Sequence, residues 1–162
     1  MKFFLAFIFS LFVFLGFSQT KADTLLREID KAKEPDRAKL YCNLAWEYMG
    51  KDYSKFYQYA SEGLKIASKY NKQYWMAFSL RQVGIYYDIQ GDAKKSVVYI
   101  DSALAINRKI NDEGGIIACL SSLGIVHYNA GNYDKALPYY IESLEYYEKA
   151  NDYKYQAYFA GN

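Results

Sequence analysis

The sequence predicts an all-α fold in which about three helix-turn-helix units stack behind an N-terminal export signal. Three observations lead to this prediction: a repeat with a period of 40 residues, apolar stripes with helical spacing inside each repeat, and an apolar segment that opens the chain. The composition agrees with it. A chain of 162 residues with 52% hydrophobic and 23% charged side chains can bury a core, and its two prolines leave long stretches free to form helices.

The first 18 residues have the pattern of a secretory signal peptide. Lys2 gives a positive start, residues 3–17 are almost entirely apolar, and Gly16-Phe17-Ser18 offers a small-x-small cleavage site. The apolar stretch is shorter than the roughly 20 residues that a membrane-crossing helix needs. We therefore predict cleavage after Ser18, with retention as an anchor as the alternative. The mature protein is then expected in the periplasm or on the extracellular side.

A constant offset of 40 residues relates many positions in the rest of the chain. Lys-x-Asn segments end at Asn71, Asn111 and Asn151, and Gly84 recurs as Gly124. Such self-similarity is typical of repeat proteins, in which each unit buries its apolar face against the next. The predicted units lie at residues 36–71, 72–111 and 112–151, and a fourth starts at 152–162.

Each unit contains two predicted helices separated by a turn. In the third unit, apolar residues recur at helical spacing from Ile117 to Val126. Gly131 then suits the left-handed conformation after a helix end, and Asn132 can cap the next helix as Asp92 can in the second unit. Small residues stand where two helices must approach closely, at Gly84, Ala103, Gly124 and Ser143.

Separate predictions apply to the two ends of the repeat region, which spans residues 36–162. Residues 19–35 are predicted to form a capping helix and a linker, because an amphipathic segment at 24–33 is followed by Glu34-Pro35, and the residue before proline resists the helical conformation. Residues 152–162 begin a fourth unit without completing it. Since an incomplete unit leaves an apolar face in water, we predict that the chain is a fragment of a longer repeat protein.

The order of residues within a unit resembles that of the tetratricopeptide repeat family. The resemblance implies a right-handed α-α superhelix, a non-catalytic role and protein partners. The period of 40 residues departs from the family's usual value of about 34, and a Lys-x-Asn segment replaces the usual proline. In the third unit the matching positions are Leu120, Leu123-Gly124, Ala136, Tyr140 and Ser143, with His127 in place of a tyrosine.

In this family the first helices of successive units line a concave groove that takes an extended peptide or a partner helix. The clamp of lysine and asparagine that holds a terminal carboxylate in some members is not reproduced, because Ile85 and Ile125 stand at the asparagine position. The groove is therefore not expected to favour acidic chain ends. The resemblance places these residues in it: Lys39, Cys42, Asn43, Trp46, Phe78, Arg81, Ile85, Asp88, Ala118, Ser121, Ile125 and Tyr128.

Within this set, three aromatic residues and one arginine have the composition of an interface hot spot: Trp46, Phe78, Tyr128 and Arg81. The alternative is that Trp46 and Phe78 serve in packing. The nineteen tyrosines are also predicted to serve chiefly in packing between helices, with a carbohydrate-binding platform as the alternative.

Other functional classes find little support in the sequence. The net charge of +2, from 20 basic and 18 acidic residues, gives no footprint for nucleic acid. His127 is the only histidine, so we predict a structural role for it and neither a metal site nor a cofactor. Cys42 and Cys119 lie almost two units apart, and we predict that both are buried and unpaired rather than joined in a disulfide. No phosphate loop or catalytic triad is present, and the chain is not expected to be an enzyme.

Two functional hypotheses remain open. The first is a protein-binding scaffold that forms the extracytoplasmic N-terminal part of a longer bacterial signalling protein. The second is a stand-alone periplasmic or surface repeat protein that binds a peptide or a glycan. In either case, contact with a membrane is expected only through the export segment or a downstream helix.

Overall fold

The structure is a computed structural model that describes residues 20–160, with side chains described as far as Lys149. The predicted signal peptide at residues 1–18 lies outside the described residues. Within them the chain forms seven helices and no strand. These helices are α1 (Lys21–Lys31), α2 (Glu34–Tyr48), α3 (Tyr53–Lys69), α4 (Gln73–Ile89), α5 (Ala93–Ile110), α6 (Glu113–Asn129) and α7 (Tyr133–Ala160).

The helices pack in chain order as a stack of hairpins. The pairs α2–α3, α4–α5 and α6–α7 form the three units, and α3–α4 and α5–α6 make the contacts between units. The first helices also contact each other directly, α2 with α4 and α4 with α6. The first helices therefore form one layer and the second helices another. The predicted arrangement of paired helices is thus present.

The turns within the units are set by capping and by glycine. The carboxylates of Asp52 and Asp92 accept hydrogen bonds from the backbone N–H groups of Lys55 and Lys95, each at 3.0 Å. Gly131 has a φ of +75°, the left-handed conformation predicted for it. The capping prediction for Asn132 was wrong. Within the described residues its side chain makes no such bond, and its backbone carbonyl alone serves the first turn of α7.

The connections between units use the Lys-x-Asn segments. Asn71 and Asn111 adopt positive φ angles of 50° and 55°, which asparagine tolerates better than most residues. The third segment behaves differently, because α7 continues through Asn151 as far as Ala160. In the described residues one helix therefore runs across the predicted boundary between the third unit and the start of the fourth.

The N-terminal helix covers the end of the first unit. It begins at Lys21 because Thr20 and Asp23 form a capping box, in which the Thr20 hydroxyl accepts from the Asp23 N–H at 3.2 Å. Leu25 and Ile29 on this helix pack against Leu44 of α2. Pro35 lies in the first turn of α2, where its missing N–H is not needed. Glu34-Pro35 therefore opens α2 rather than ending α1.

Glycines lie where the two helices of a unit cross most closely. A Cβ atom added to Gly84 would lie 2.5 Å from Cγ1 of the buried Ile100 and 3.1 Å from the Ser96 carbonyl oxygen. At Gly124 it would lie 2.5 Å from Cε1 of the Tyr140 ring. The predicted close approach at both glycines is confirmed.

Tyrosine rings make contacts between neighbouring helices of the stack. The rings of Tyr57 and Tyr86 lie 4.4 Å apart, and those of Tyr87 and Tyr99 stack at 5.3 Å. These four side chains are half-buried and link α3, α4 and α5. Their arrangement matches the packing role predicted for tyrosine.

Candidate functional site

The layer of first helices carries the residues predicted to line a groove. They lie on three neighbouring helices, α2, α4 and α6, that contact each other side by side. Three of them are exposed: Lys39, Ile125 (48%) and Tyr128 (57%). The half-buried ones are Asn43, Trp46, Phe78, Arg81, Ile85, Asp88, Ala118 and Ser121.

The centre of this surface is a cluster of two aromatic rings and a guanidinium group. The rings of Trp46 and Phe78 meet edge to face at 6.4 Å. Cζ of Arg81 lies 5.4 Å from the centroid of Trp46 and 5.7 Å from that of Phe78, which is within cation–π range. Trp46 also rests on Phe56 of α3 at 5.7 Å. Trp46 therefore packs against the fold, as the alternative interpretation predicts, and the role of the cluster in binding a partner stays a prediction.

Two cavities flank this cluster, and Arg81 lines both. The first has a volume of about 140 Å³ and lies between α4 and the start of α6, where Tyr74 and Asp112 contribute to it. The second has a volume of about 280 Å³ and lies further along the same two helices, with Ile85 and Ile125 in its wall. The groove thus contains two hollows, the first with a mixed polar and apolar wall and the second mostly apolar, and Arg81 borders both.

Burial and hydrogen bonding set the electrostatics of these cavities. Burial lowers the pKa of the Arg81 guanidinium from its usual value, because removal from water disfavours the charged form. Asp88 in the second cavity accepts a hydrogen bond from Nδ2 of Asn129 at 3.0 Å, which joins the far ends of α4 and α6. Asp112 lies in the wall of the first cavity. The positive charge is therefore central, and the two carboxylates lie to either side.

Some predicted groove residues lie elsewhere. Cys42 was wrongly placed in the groove, because it is fully buried and its Sγ lies 3.0 Å from Oγ of Ser79. Ser121 bonds to Ser143 of α7 at 2.8 Å, and its neighbour Ser122 lines the second cavity. Lys39 lies apart from the central cluster, at a separate cavity of about 120 Å³.

The sequence reasoning also missed residues that line the cavities. Tyr74 precedes Phe78 by four positions and Arg81 by seven, so all three share one face of α4. That spacing is a signal that could have found Tyr74. Asp112 and Ile89 also line the cavities, but they lie at a helix end and in the last turn of a helix. Such positions carry no periodic signal.

The remaining candidate residues have structural partners. The ring of His127 stacks on Tyr139 at 5.5 Å and so connects α6 with α7. Cys42 and Cys119 are both buried and free, as predicted, and burial raises their pKa values to about 12 and about 11. In the part of the chain that the structure describes, no group of acidic, histidine and cysteine side chains is placed to hold a metal ion.

Comparisons with known proteins agree with this architecture. Residues 75–149 match the sequence profile described as tetratricopeptide repeat. The chain is similar to the TPR domain of Arabidopsis FLU, with 16% identity and a TM-score of 0.65, over 72% of this chain and 99% of that one. It is also similar to MamA, with 19% identity and a TM-score of 0.56, over 83% of each chain.

A third similar structure is the Rap protein complexed with Competence and Sporulation Factor. It shares 21% identity and a TM-score of 0.71, over 84% of this chain and 42% of that one. At these identities the likeness shows the fold alone, and the predicted all-α solenoid is thereby confirmed. A search of curated proteins by sequence gives no match. No helix within residues 20–160 has the length and hydropathy of a membrane span.

Proposed function

Because the chain is a tetratricopeptide repeat protein, we propose that it is a non-catalytic scaffold that binds a protein or peptide in the groove lined by α2, α4 and α6. One observation carries this proposal: Arg81 lies within cation–π range of Trp46 and Phe78 and lines two neighbouring cavities. Tryptophan and arginine supply much of the binding energy at protein interfaces. The similar Rap protein was crystallised with Competence and Sporulation Factor, which supports a ligand-binding role for this fold.

Removing the central cluster is expected to abolish capture of the partner. In a pull-down from the exported fraction, the double variant Trp46→Ala with Arg81→Glu should retain less than a tenth of what the wild-type protein captures. Each hot-spot residue is worth about 2 kcal/mol or more, and tenfold in affinity corresponds to about 1.4 kcal/mol. Quantitative mass spectrometry of the bound fraction measures the loss.

A matched control makes the same chemical changes away from the groove. Tyr53→Ala with Arg27→Glu removes one aromatic ring and reverses one charge at exposed positions on α3 and α1. This control should capture the same partners as the wild type. Circular dichroism would verify that both double variants stay folded. Partners that are captured equally by the groove variant would overturn the proposed site.

We also propose that the chain is exported and forms the extracytoplasmic part of a longer bacterial signalling protein. The apolar segment before Ser18 supports export. The surface of α7 supports further units. Leu144 is 55% exposed, whereas its equivalent Leu104 is 5% exposed beneath α6. Tyr147 is likewise 55% exposed, and its equivalent Asn107 is 4% exposed. A further first helix would cover this face.

Export predicts a defined mature N-terminus. When the chain is produced in bacteria with a secretion pathway, the mass of the protein from the exported fraction should correspond to a start at Gln19. Charged residues in the apolar segment, as in Leu11→Lys with Phe14→Lys, should keep the protein unprocessed in the cytoplasm, because such a segment no longer enters the translocon. Leu11→Ile with Phe14→Leu keeps the segment apolar and should be processed normally. A start at Met1 in the exported fraction would contradict cleavage.

A further inference from the structure

Among the residues that the structure describes, Arg81 has no acidic partner for the positive charge that it carries into the groove. The ion pairs of the described chain involve other cations, among them Lys21, Lys69, Lys95 and Arg108. Within the described residues Arg81 makes neither a salt bridge nor a side-chain hydrogen bond, although a guanidinium has five N–H donors. Arg81 is half-buried, and an unpaired charge is costly to remove even partly from water. A ligand could supply the missing acceptor.

The contacts of Arg81 leave its donors available. Its guanidinium lies within cation–π range of Trp46 and Phe78, and no hydrogen bond to the described residues uses its N–H donors. The N–H groups of a guanidinium form a planar fork that matches a carboxylate. Since Arg81 lines both cavities, an acceptor can approach this fork from the groove. The rings thus hold the guanidinium in place before any ligand binds.

The neighbouring carboxylates of Asp88 and Asp112 limit the negative charge that such a ligand can carry. Asp112 lies in the wall of the first cavity and Asp88 in that of the second, and neither forms a salt bridge with Arg81. A strongly acidic ligand would therefore meet repulsion on both sides of its attractive contact. A single carboxylate at the centre of a neutral or basic segment avoids this repulsion.

The second cavity favours a ligand that also has an apolar side chain. Its wall includes Ile85, Ile89 and Ile125, and the last two side chains are 37% and 48% exposed. Its volume of about 280 Å³ exceeds the roughly 150 Å³ of a cavity that holds benzene. One leucine-sized or phenyl-sized side chain can therefore enter next to the position of the carboxylate.

We propose that Arg81 binds the side-chain carboxylate of one aspartate or glutamate in a partner peptide, whose neighbouring apolar residue fills the cavity beside Ile85 and Ile125. This inference rests on the proposed function of the groove and specifies its ligand. A terminal carboxylate offers the same chemistry but comes from a chain end, so the test must separate the two sources.

A selection followed by a two-way substitution tests this contact. Twelve-residue peptides displayed in a random library are selected on the purified wild-type protein. The tightest binder is synthesised with an acetylated N-terminus and an amidated C-terminus, so that a side chain supplies any carboxylate. Its acidic residue is then changed to glutamine or asparagine, and both peptides are titrated by fluorescence anisotropy against the wild type and Arg81→Met. Methionine keeps an unbranched side chain against Trp46 and Phe78 but removes the charge and the donors.

The expected result is a coupling between the two substitutions. On the wild type the neutral peptide should bind at least about tenfold more weakly, because a hydrogen-bonded charge is lost. On Arg81→Met both peptides should bind within about twofold of each other, since the partner of the carboxylate is gone. Arg27→Met removes an exposed arginine outside the groove and should retain the tenfold difference.

Other outcomes overturn the inference in distinguishable ways. If the selected peptides lack an acidic residue, or the neutral peptide binds the wild type equally well, Arg81 does not bind a carboxylate although the groove binds peptides. If binding requires a free C-terminus, the ligand is a chain end and the side-chain assignment is wrong. If no peptide is selected, the proposed function of the groove fails together with the inference.

Discussion

Replacing Gly84 by leucine is expected to lower the free energy of unfolding by about 3 kcal/mol, the upper part of the range for overpacked cores. Even a Cβ atom at this position would lie 2.5 Å from Cγ1 of Ile100 and 3.1 Å from the Ser96 carbonyl oxygen. Ile100 is fully buried, and a backbone carbonyl cannot move aside without displacing α5. The two helices of the second unit must therefore separate. Urea unfolding followed by circular dichroism measures the loss.

The corresponding substitution in the third unit should cost less than half as much. At Gly124 the nearest atoms belong to the ring of Tyr140, which is 37% exposed and can turn towards solvent. Gly114→Ala serves as a control, because a Cβ atom there meets nothing closer than 3.6 Å and alanine favours the helix. Equal losses of unfolding free energy for the leucine variants at Gly84 and Gly124 would contradict this expectation. They would show that whole helices move apart at both crossings, rather than that a single side chain moves aside at Gly124.

The sequence was most informative where the repeat imposes the same constraint more than once. Gly84 and Gly124 recur at one offset because both helix crossings need a residue without a side chain. Asn71 and Asn111 recur because both connections need a left-handed residue. A packing requirement that is shared by two units leaves two copies in the sequence, and the copies can be recognised without coordinates.

The groove was less predictable because it depends on the rotation of each helix about its axis. Ser121 and Ser122 differ by one position, which turns a side chain by about 100° on an α-helix. Ser121 faces α7 and Ser122 faces the second cavity. Groove positions that are transferred from family units with a different repeat period can be wrong by one residue. An error of one residue places the side chain on another face of the helix. The third Lys-x-Asn segment also departs from the repeat, because Asn151 lies inside α7 whereas Asn71 and Asn111 are left-handed.

The groove also depends on a residue of the second-helix layer. Phe56 of α3 is the largest fully buried side chain of the described chain. Its ring supports Trp46 at 5.7 Å and packs with Ala45, Ala60 and Val83. Phe56 therefore fills the space beneath the aromatic cluster and fixes the position of Trp46. This arrangement connects the stability of the first unit to the shape of the groove.

Replacing Phe56 by alanine is expected to lower the free energy of unfolding by about 4 kcal/mol, since a buried phenyl ring is lost and a cavity remains. Under conditions in which the variant is still folded, Trp46 should lose its support and the groove should bind the selected peptide more weakly. Urea unfolding measures the first effect, and fluorescence anisotropy with the labelled peptide measures the second.

Phe56→Leu is the matched control for this prediction. Leucine fills most of the space, so its loss of stability should be well below that of alanine, and its peptide affinity should be closer to that of the wild type. Equal peptide affinity for Phe56→Ala and the wild type would contradict a positioning role for Phe56, whatever the loss of stability. A loss of stability below about 1 kcal/mol for the alanine variant would contradict its place in the core. A large loss of stability with unchanged affinity would mean that Phe78 and Arg81 hold Trp46 in place from the groove side alone.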